Sequence, residues 1–126
     1  MGKWKIKAII EVDITEEDID DIVCAALEGG VNYWCNQVRT VGERLGEYAS
    51  DQISLGGELE FRAGGNWHTL NKEKLLKGIQ MYVERSHSIT ITEDTRDGLR
   101  LDTCQVDTEV ADVVIQYALF GEIVYG

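Results

Sequence analysis

Ile19-Asp-Asp-Ile-Val-Cys-Ala-Ala-Leu-Glu-Gly-Gly-Val-Asn-Tyr-Trp-Cys-Asn-Gln-Val38 decides how this chain folds. Its apolar positions are Ile19, Ile22, Val23, Ala26, Leu27, Gly30, Val31, Trp34, Cys35 and Val38, which keep the three- and four-residue spacing of one helix face. The stripe runs straight through Gly29-Gly30. A glycine inside a helix costs roughly 1 kcal/mol against alanine, so two in succession normally end one. Here the spacing resumes beyond them, so either another backbone comes close at this point or the helix breaks. The spacing favours one continuous helix from about residue 17 to 36; a period-two strand over 31–41 is the alternative.

Upstream, Thr15-Glu-Glu-Asp18 has the form of a capping box, with a hydroxyl to accept from a backbone N–H and a carboxylate to reach back. Glu16, Glu17 and Asp18 also suit the positive end of the helix dipole. Before it, residues 3–13 alternate as a strand does, with Trp4, Ile6, Ala8 and Ile10 on one face and lysines and Glu11 on the other.

Downstream, 38–55 has no clean period and reads as irregular chain or a short strand with a loop. Residues 58–62 and 67–70 form a hairpin around Ala63-Gly-Gly-Asn66, because glycines supply the positive φ of a tight reversal. Asn71 caps a second helix with the stripe Leu75, Leu76, Ile79, Tyr82 and Val83 and a basic face of Lys72, Lys74 and Lys77. Residues 88–92 and 99–102 make a second hairpin through a polar loop ending in Asp97-Gly98. Asp107 or Thr108 opens the last helix, with Val110, Val113, Val114, Tyr117 and Ala118 at core spacing. The apolar tail 120–126 needs cover, either docked on the domain or lying in a symmetric interface. The expectation is one compact α+β domain over 1–126, with three helices packed on an antiparallel sheet, and a homodimer.

The 126 residues suit one core, and no apolar run approaches the roughly 20 residues of a membrane span. The N-terminus alternates lysine with apolar residues where a signal peptide carries an apolar block, so a bacterial cytoplasmic location is expected. The formal net charge is −11 and unevenly spread: 11–21 holds seven acids and no base. That field disfavours direct nucleic-acid binding, which needs clustered cations at phosphates. It suits a basic protein partner, although a solvated helix start and solubility account for an acidic run equally simply. Glu16, Glu17, Asp20 and Asp21 form one candidate acidic face, and Glu93 and Asp94 lead a second over 93–112.

Catalytic motifs are missing: no GxSxG, HExxH, phosphate-binding glycine loop with lysine, or GxGxxG. His68 and His87 stand alone and suit structural or surface roles. Cys24, Cys35 and Cys104 have no CxxC pairing and suit buried hydrophobes. Asp13, Glu17 and Asp21 lack the central glycine and distal Glu of a calcium loop. No metal or cofactor is expected.

One constellation suits a ligand: Tyr33, Trp34, Asn36, Arg39, Arg44, Tyr48, Ser50 and Gln52. Arginine forks onto phosphate and aromatics stack on a base, so these groups fit a nucleotide. The competing possibility has Trp34 in the core and the arginines in ion pairs. Convergence of Arg39 and Arg44 on one concavity would favour the pocket.

The blocks Ala26-Leu-Glu-Gly-Gly-Val-Asn-Tyr-Trp-Cys35, Gly46-Glu-Tyr-Ala-Ser-Asp-Gln-Ile53, Leu75-Leu-Lys-Gly78 and Ala111-Asp-Val-Val-Ile-Gln-Tyr-Ala-Leu-Phe-Gly-Glu-Ile-Val-Tyr-Gly126 resemble small uncharacterised proteins of phages and integrative mobile elements in Firmicutes. The resemblance departs chiefly around 62–66 and 86–101. It implies a genetic setting and transfers no catalytic residue. By association with that setting the first expectation is a non-enzymatic antagonist of host defence, anti-CRISPR-like or of another kind, that binds a basic surface of a host effector. The second is a protein that sequesters a nucleotide immune signal through the arginine and aromatic cluster. A small enzyme of unrecognised type ranks third, since no nucleophile and base can be named.

Overall fold

The computed structural model describes residues 2–6, 11–85, 92–95, 98–102 and 106–126, with backbone alone along 92–95. The fold is α+β. Its elements are β1 (Val12–Asp13), α1 (Glu16–Ala25), a π turn (Ala26–Gly30), β2 (Gln37–Val41), α2 (Asp51–Ser54), β3 (Glu58–Ala63), β4 (Asn66–Leu70), α3 (Lys72–Arg85), β5 (Thr92–Thr95), β6 (Gly98–Leu101) and α4 (Thr108–Phe120). Three long helices are present as expected, and α2 adds a single turn.

The capping box forms in full: the Asp18 N–H donates to Thr15 Oγ1 at 3.2 Å, and the Thr15 N–H donates to Asp18 Oδ2 at 2.9 Å. Arg100 of β6 approaches the same carboxylate at 3.9 Å, which ties the second sheet to the start of α1. At its far end α1 does not continue to residue 36. The Val31 N–H reaches back five residues to the Ala26 carbonyl at 3.2 Å, Gly29 leaves helical angles at φ 175° and ψ −28°, and a turn follows. The cause is a close contact. A Cβ on Gly30 would stand 2.6 Å from the Thr108 carbonyl oxygen and 3.4 Å from the Asp112 nitrogen, both in α4. Val31, Trp34 and Cys35 stay buried because the turn folds back under the same core. The apolar spacing therefore persists where the helix does not.

The expected sheet is two sheets. β2, β3 and β4 are antiparallel in that order, and the two-residue turn at Gly64-Gly65 has φ of 58° and 79°, the geometry of the expected hairpin. Leu59, Phe61, Ala63 and Leu70 face the core. The second sheet runs β1-β6-β5, with β1 parallel and β5 antiparallel to β6. Its hairpin pairs Thr92–Thr95 with Gly98–Leu101, so the second strand lies within one residue of the expected 99–102; of the expected first strand, 88–91 lie outside the described residues, as does Asp97. Of the expected first strand over 3–13, Val12–Asp13 are strand while the described residues 3–6 and 11 are not. No described strand pairs with residues 2–6, and Trp4 and Ile6 are 90% and 91% exposed rather than on a buried face; Ala8 and Ile10 lie outside the described residues.

Asn71 caps α3 through the Lys74 N–H at 2.8 Å, and Asp107 caps α4 through the Val110 N–H at 2.9 Å. Leu75 and Ile79 are buried, but Leu76 is exposed. Along α4 the deepest apolar residues are Ala111, Val114 and Ile115, with Val110, Val113 and Tyr117 half-buried, so its buried face is rotated by about one residue from the expected one. The rotation follows from α4 being packed on one side against the π turn and on another against α3. At the second contact a Cβ on Gly78 would lie 2.6 Å from the Val114 carbonyl oxygen and 2.9 Å from the Ala118 nitrogen. Gly78→Ala is therefore expected to lower stability by about 1–3 kcal/mol in urea unfolding, although alanine is the better helix former.

Candidate functional site

The outer side of α1 carries the acids. Glu16, Glu17 and Asp21 are exposed, and Asp20 is half-buried with its Oδ1 enclosed and without a hydrogen-bond partner among the described residues. None of the four makes an ion pair among the described residues, whose salt bridges are Arg39–Glu60 and Arg100–Asp18. Glu93 and Asp94 lie in β5, opposite Arg100 and Leu99.

A second feature is built where α1 stops. Because the turn after Gly30 swings Tyr33 and Trp34 toward α4, both meet Asp112, a residue only 7% exposed. The Trp34 indole N–H donates to its Oδ1 at 2.7 Å, and the Tyr33 hydroxyl donates to its Oδ2 at 2.6 Å. Gln116, one helical turn on and fully buried, donates to Oδ1 at 2.9 Å. The Gln116 amide oxygen accepts from the Val124 and Tyr125 N–H groups, each at 2.8 Å, and its Nε2 donates to the Tyr125 carbonyl at 3.1 Å. This pins the apolar tail, whose Tyr125 ring stacks on Trp34 with centroids 5.3 Å apart and planes 1° apart. Phe120 completes the aromatic group edge-on to Trp34 and to His68, which gives that histidine a packing role.

Above the network lies a cleft of about 430 Å³, lined by Gly29, Gly30, Tyr33, Thr108, Glu109, Asp112, Val113, Ile123, Tyr125 and Gly126. Its walls combine two carboxylates with phenol and aliphatic surface and, among the described residues, include no lysine or arginine. Partial desolvation, then the hydrogen bond and charge of Asp112, push the Tyr33 phenol above its ordinary value of 10.0.

Of the residues expected to bind a ligand, Tyr33 lines the cleft and Trp34 lies beneath it, while Arg39, Arg44 and Tyr48 do not line it. Arg39 pairs with Glu60 at 3.1 Å and lays its guanidinium 3.7 Å from the centre of the Trp67 ring. Arg44 donates to the Glu47 carbonyl, and Tyr48 is exposed. Gln52 is buried as a clamp: its Nε2 donates to the Glu43 carbonyl at 3.1 Å and its Oε1 accepts from the Leu45 N–H at 3.0 Å. Asn36 is exposed, and its N–H donates to the Arg62 carbonyl at 3.2 Å; Ser50 is half-buried before α2.

Asp112, Gln116 and Tyr125 are not singled out by the sequence. The available signal was a helix apolar nearly all round, where two polar residues one turn apart must be buried with it. Cys35 is buried and its thiol is pushed up by desolvation; Cys24 donates to Glu28 at 3.3 Å, a bond that raises its thiol too. Neither is poised as a thiolate nucleophile. His87 and Cys104 lie outside the described residues. Among the described residues no group of His, Cys, Asp or Glu is arranged to hold a metal ion, and no helix is long and apolar enough to cross a membrane. No family model matches the chain, and no curated protein and no solved structure is similar to it.

A raised phenol favours the folded state while it is protonated. Stability from Tyr33 is fully present below about pH 10 and is lost as pH rises from the free-phenol value of 10.0 through its higher folded-state value. Comparing urea midpoints at pH 8 and pH 11, Tyr33→Phe is expected to be less stable than the parent at pH 8 and to lose less on going to pH 11.

Proposed function

We propose that the protein is a non-enzymatic binding protein that occupies a basic surface of a partner through the outer side of α1. The observation that supports this reading is the set of α1 acids, Glu16, Glu17, Asp20 and Asp21, without cationic partners among the described residues. Acids near a helix start complement the dipole by about 0.3–1 kcal/mol each when exposed, which explains Glu16 and Glu17 but not Asp20 or Asp21 beyond them. A net charge of −11 adds long-range steering toward a basic partner and speeds encounter at low salt. In the phage or mobile-element setting that the sequence blocks imply, the partner is a host effector whose working surface is covered.

The nucleotide alternative draws no comparable support. Its arginines are engaged separately, Arg39 by Glu60 and Trp67 and Arg44 by a backbone carbonyl, and neither reaches the cleft that Tyr33 lines.

The test is quantitative capture from host lysate at about 50 mM salt by the parent chain and by a chain with Glu16→Lys, Glu17→Lys and Asp21→Lys. Thr15 and Asp18 remain, so the capping box is kept. The parent is expected to retain a basic protein at fixed stoichiometry, and the variant at least about tenfold less, with retention falling as salt is raised. Equal capture by both chains, or capture by neither, contradicts the reading.

A further inference from the structure

Asp112 is unusual among the described acids. Aspartates are almost never fully buried unless paired. Asp112 is 7% exposed, yet each of its partners among the described residues, the Trp34 indole, the Tyr33 hydroxyl and the Gln116 amide, is neutral. No described lysine or arginine forms a salt bridge with it. Hydrogen bonds satisfy its lone pairs but leave the charge uncompensated in a poorly solvated place. The same carboxylate forms part of the wall of an open cleft, and the rest of that wall has the chemistry of a complementary guest. Glu109 adds a second carboxylate, Tyr33 and Tyr125 offer phenol rings, and Val113 and Ile123 offer aliphatic surface. A lysine or arginine side chain combines a cationic head with an apolar stem, and aromatic faces attract the head further. The dipole at the start of α4, about half a positive charge, is outweighed by the two carboxylates.

We propose that the cleft between the π turn, α4 and the C-terminal tail receives one basic side chain of the partner, anchoring the contact that the acids of α1 steer. This rests on the binding reading above and names what that partner inserts. The helix stop at Gly30 then has a functional result as well as a structural one: it opens the cleft and turns Tyr33 into its wall.

The structure supplies its own reporter, because the Trp34 indole N–H is bonded to Asp112 while the indoles of Trp4 and Trp67 lie outside the cleft lining. The experiment titrates the ¹⁵N-labelled full chain with N-acetyl-arginine amide and follows the three indole N–H resonances. The Trp34 resonance is expected to move saturably while the other two stay, and Glu109→Gln is expected to weaken the binding several-fold with an otherwise unchanged spectrum. N-acetyl-glutamine amide, without the charge, is expected to leave Trp34 in place. A Trp34 resonance unmoved by the arginine probe, moved equally by the neutral one, or moved by free spermidine alone overturns the proposal. The chain carrying Glu16→Lys, Glu17→Lys and Asp21→Lys is titrated in parallel. Its Trp34 response is expected to persist, so that equal lysate capture by the parent and this variant, with the response intact, counts against the α1 reading alone.

Discussion

The close approach of α4 to two glycines sets the geometry of this molecule. Gly30 meets the first turn of α4 through the Thr108 carbonyl, and Gly78 meets its middle and end through Val114 and Ala118. Without a side chain at either position, α3 and the end of α1 reach backbone contact with the same helix, and α4 becomes the member on which the others are registered. A methyl group at either point would have to displace backbone, which a close-packed interior resists. The contact at Gly30 also ends the regular part of α1. The widened turn and the reversal after it carry Trp34 under α4 and bring Tyr33 alongside.

From that reversal follows the polar network. Buried polar groups are costly unless bonded, and here Asp112 and Gln116 meet the requirement together by accepting from two aromatic side chains and two tail N–H groups. The C-terminal segment has no regular structure of its own, so Gln116 and the Trp34–Tyr125 stack hold it in place. Ile123 and Val124 nonetheless remain half exposed. Docking on the domain thus covers the tail in part, leaving apolar surface beside the cleft.

Features fixed by neighbouring residues were legible in the sequence. The Thr15 capping box, the Asn71 and Asp107 caps and the Gly64-Gly65 reversal each depend on a few adjacent side chains, and each forms where expected. The features that escaped depend on partners far along the chain. Apolar spacing cannot distinguish a continuous helix from a helix, a π turn and a reversal that all face one core, and the residue that ends α1 is Thr108. Residues 3–6 show that alternation records which side chains share a face, not whether a partner strand exists to bury them. At the candidate site Tyr33 and the α1 acids were legible as chemistry. Asp112 and Gln116 were not, because polar residues in a helix read as its solvent side until the helix is known to be enclosed. Arg39 and Arg44 lie close in sequence, but the register of β2 on β3 gives Arg39 to Glu60 while the following loop turns Arg44 to its own backbone.

The dependence of the fold on the Gly30 contact is tested most directly by the unfolding free energy of Gly30→Ala, read together with the Trp34 indole resonance. If residue 30 sits against the Thr108 carbonyl, the added methyl forces α4 away; stability falls by about 1–3 kcal/mol and the indole signal leaves its hydrogen-bonded position. A gain in stability of up to about 1 kcal/mol with the indole unmoved is what alanine would produce in a continuous helix, and that result would contradict a helix stopped by α4 at Gly30.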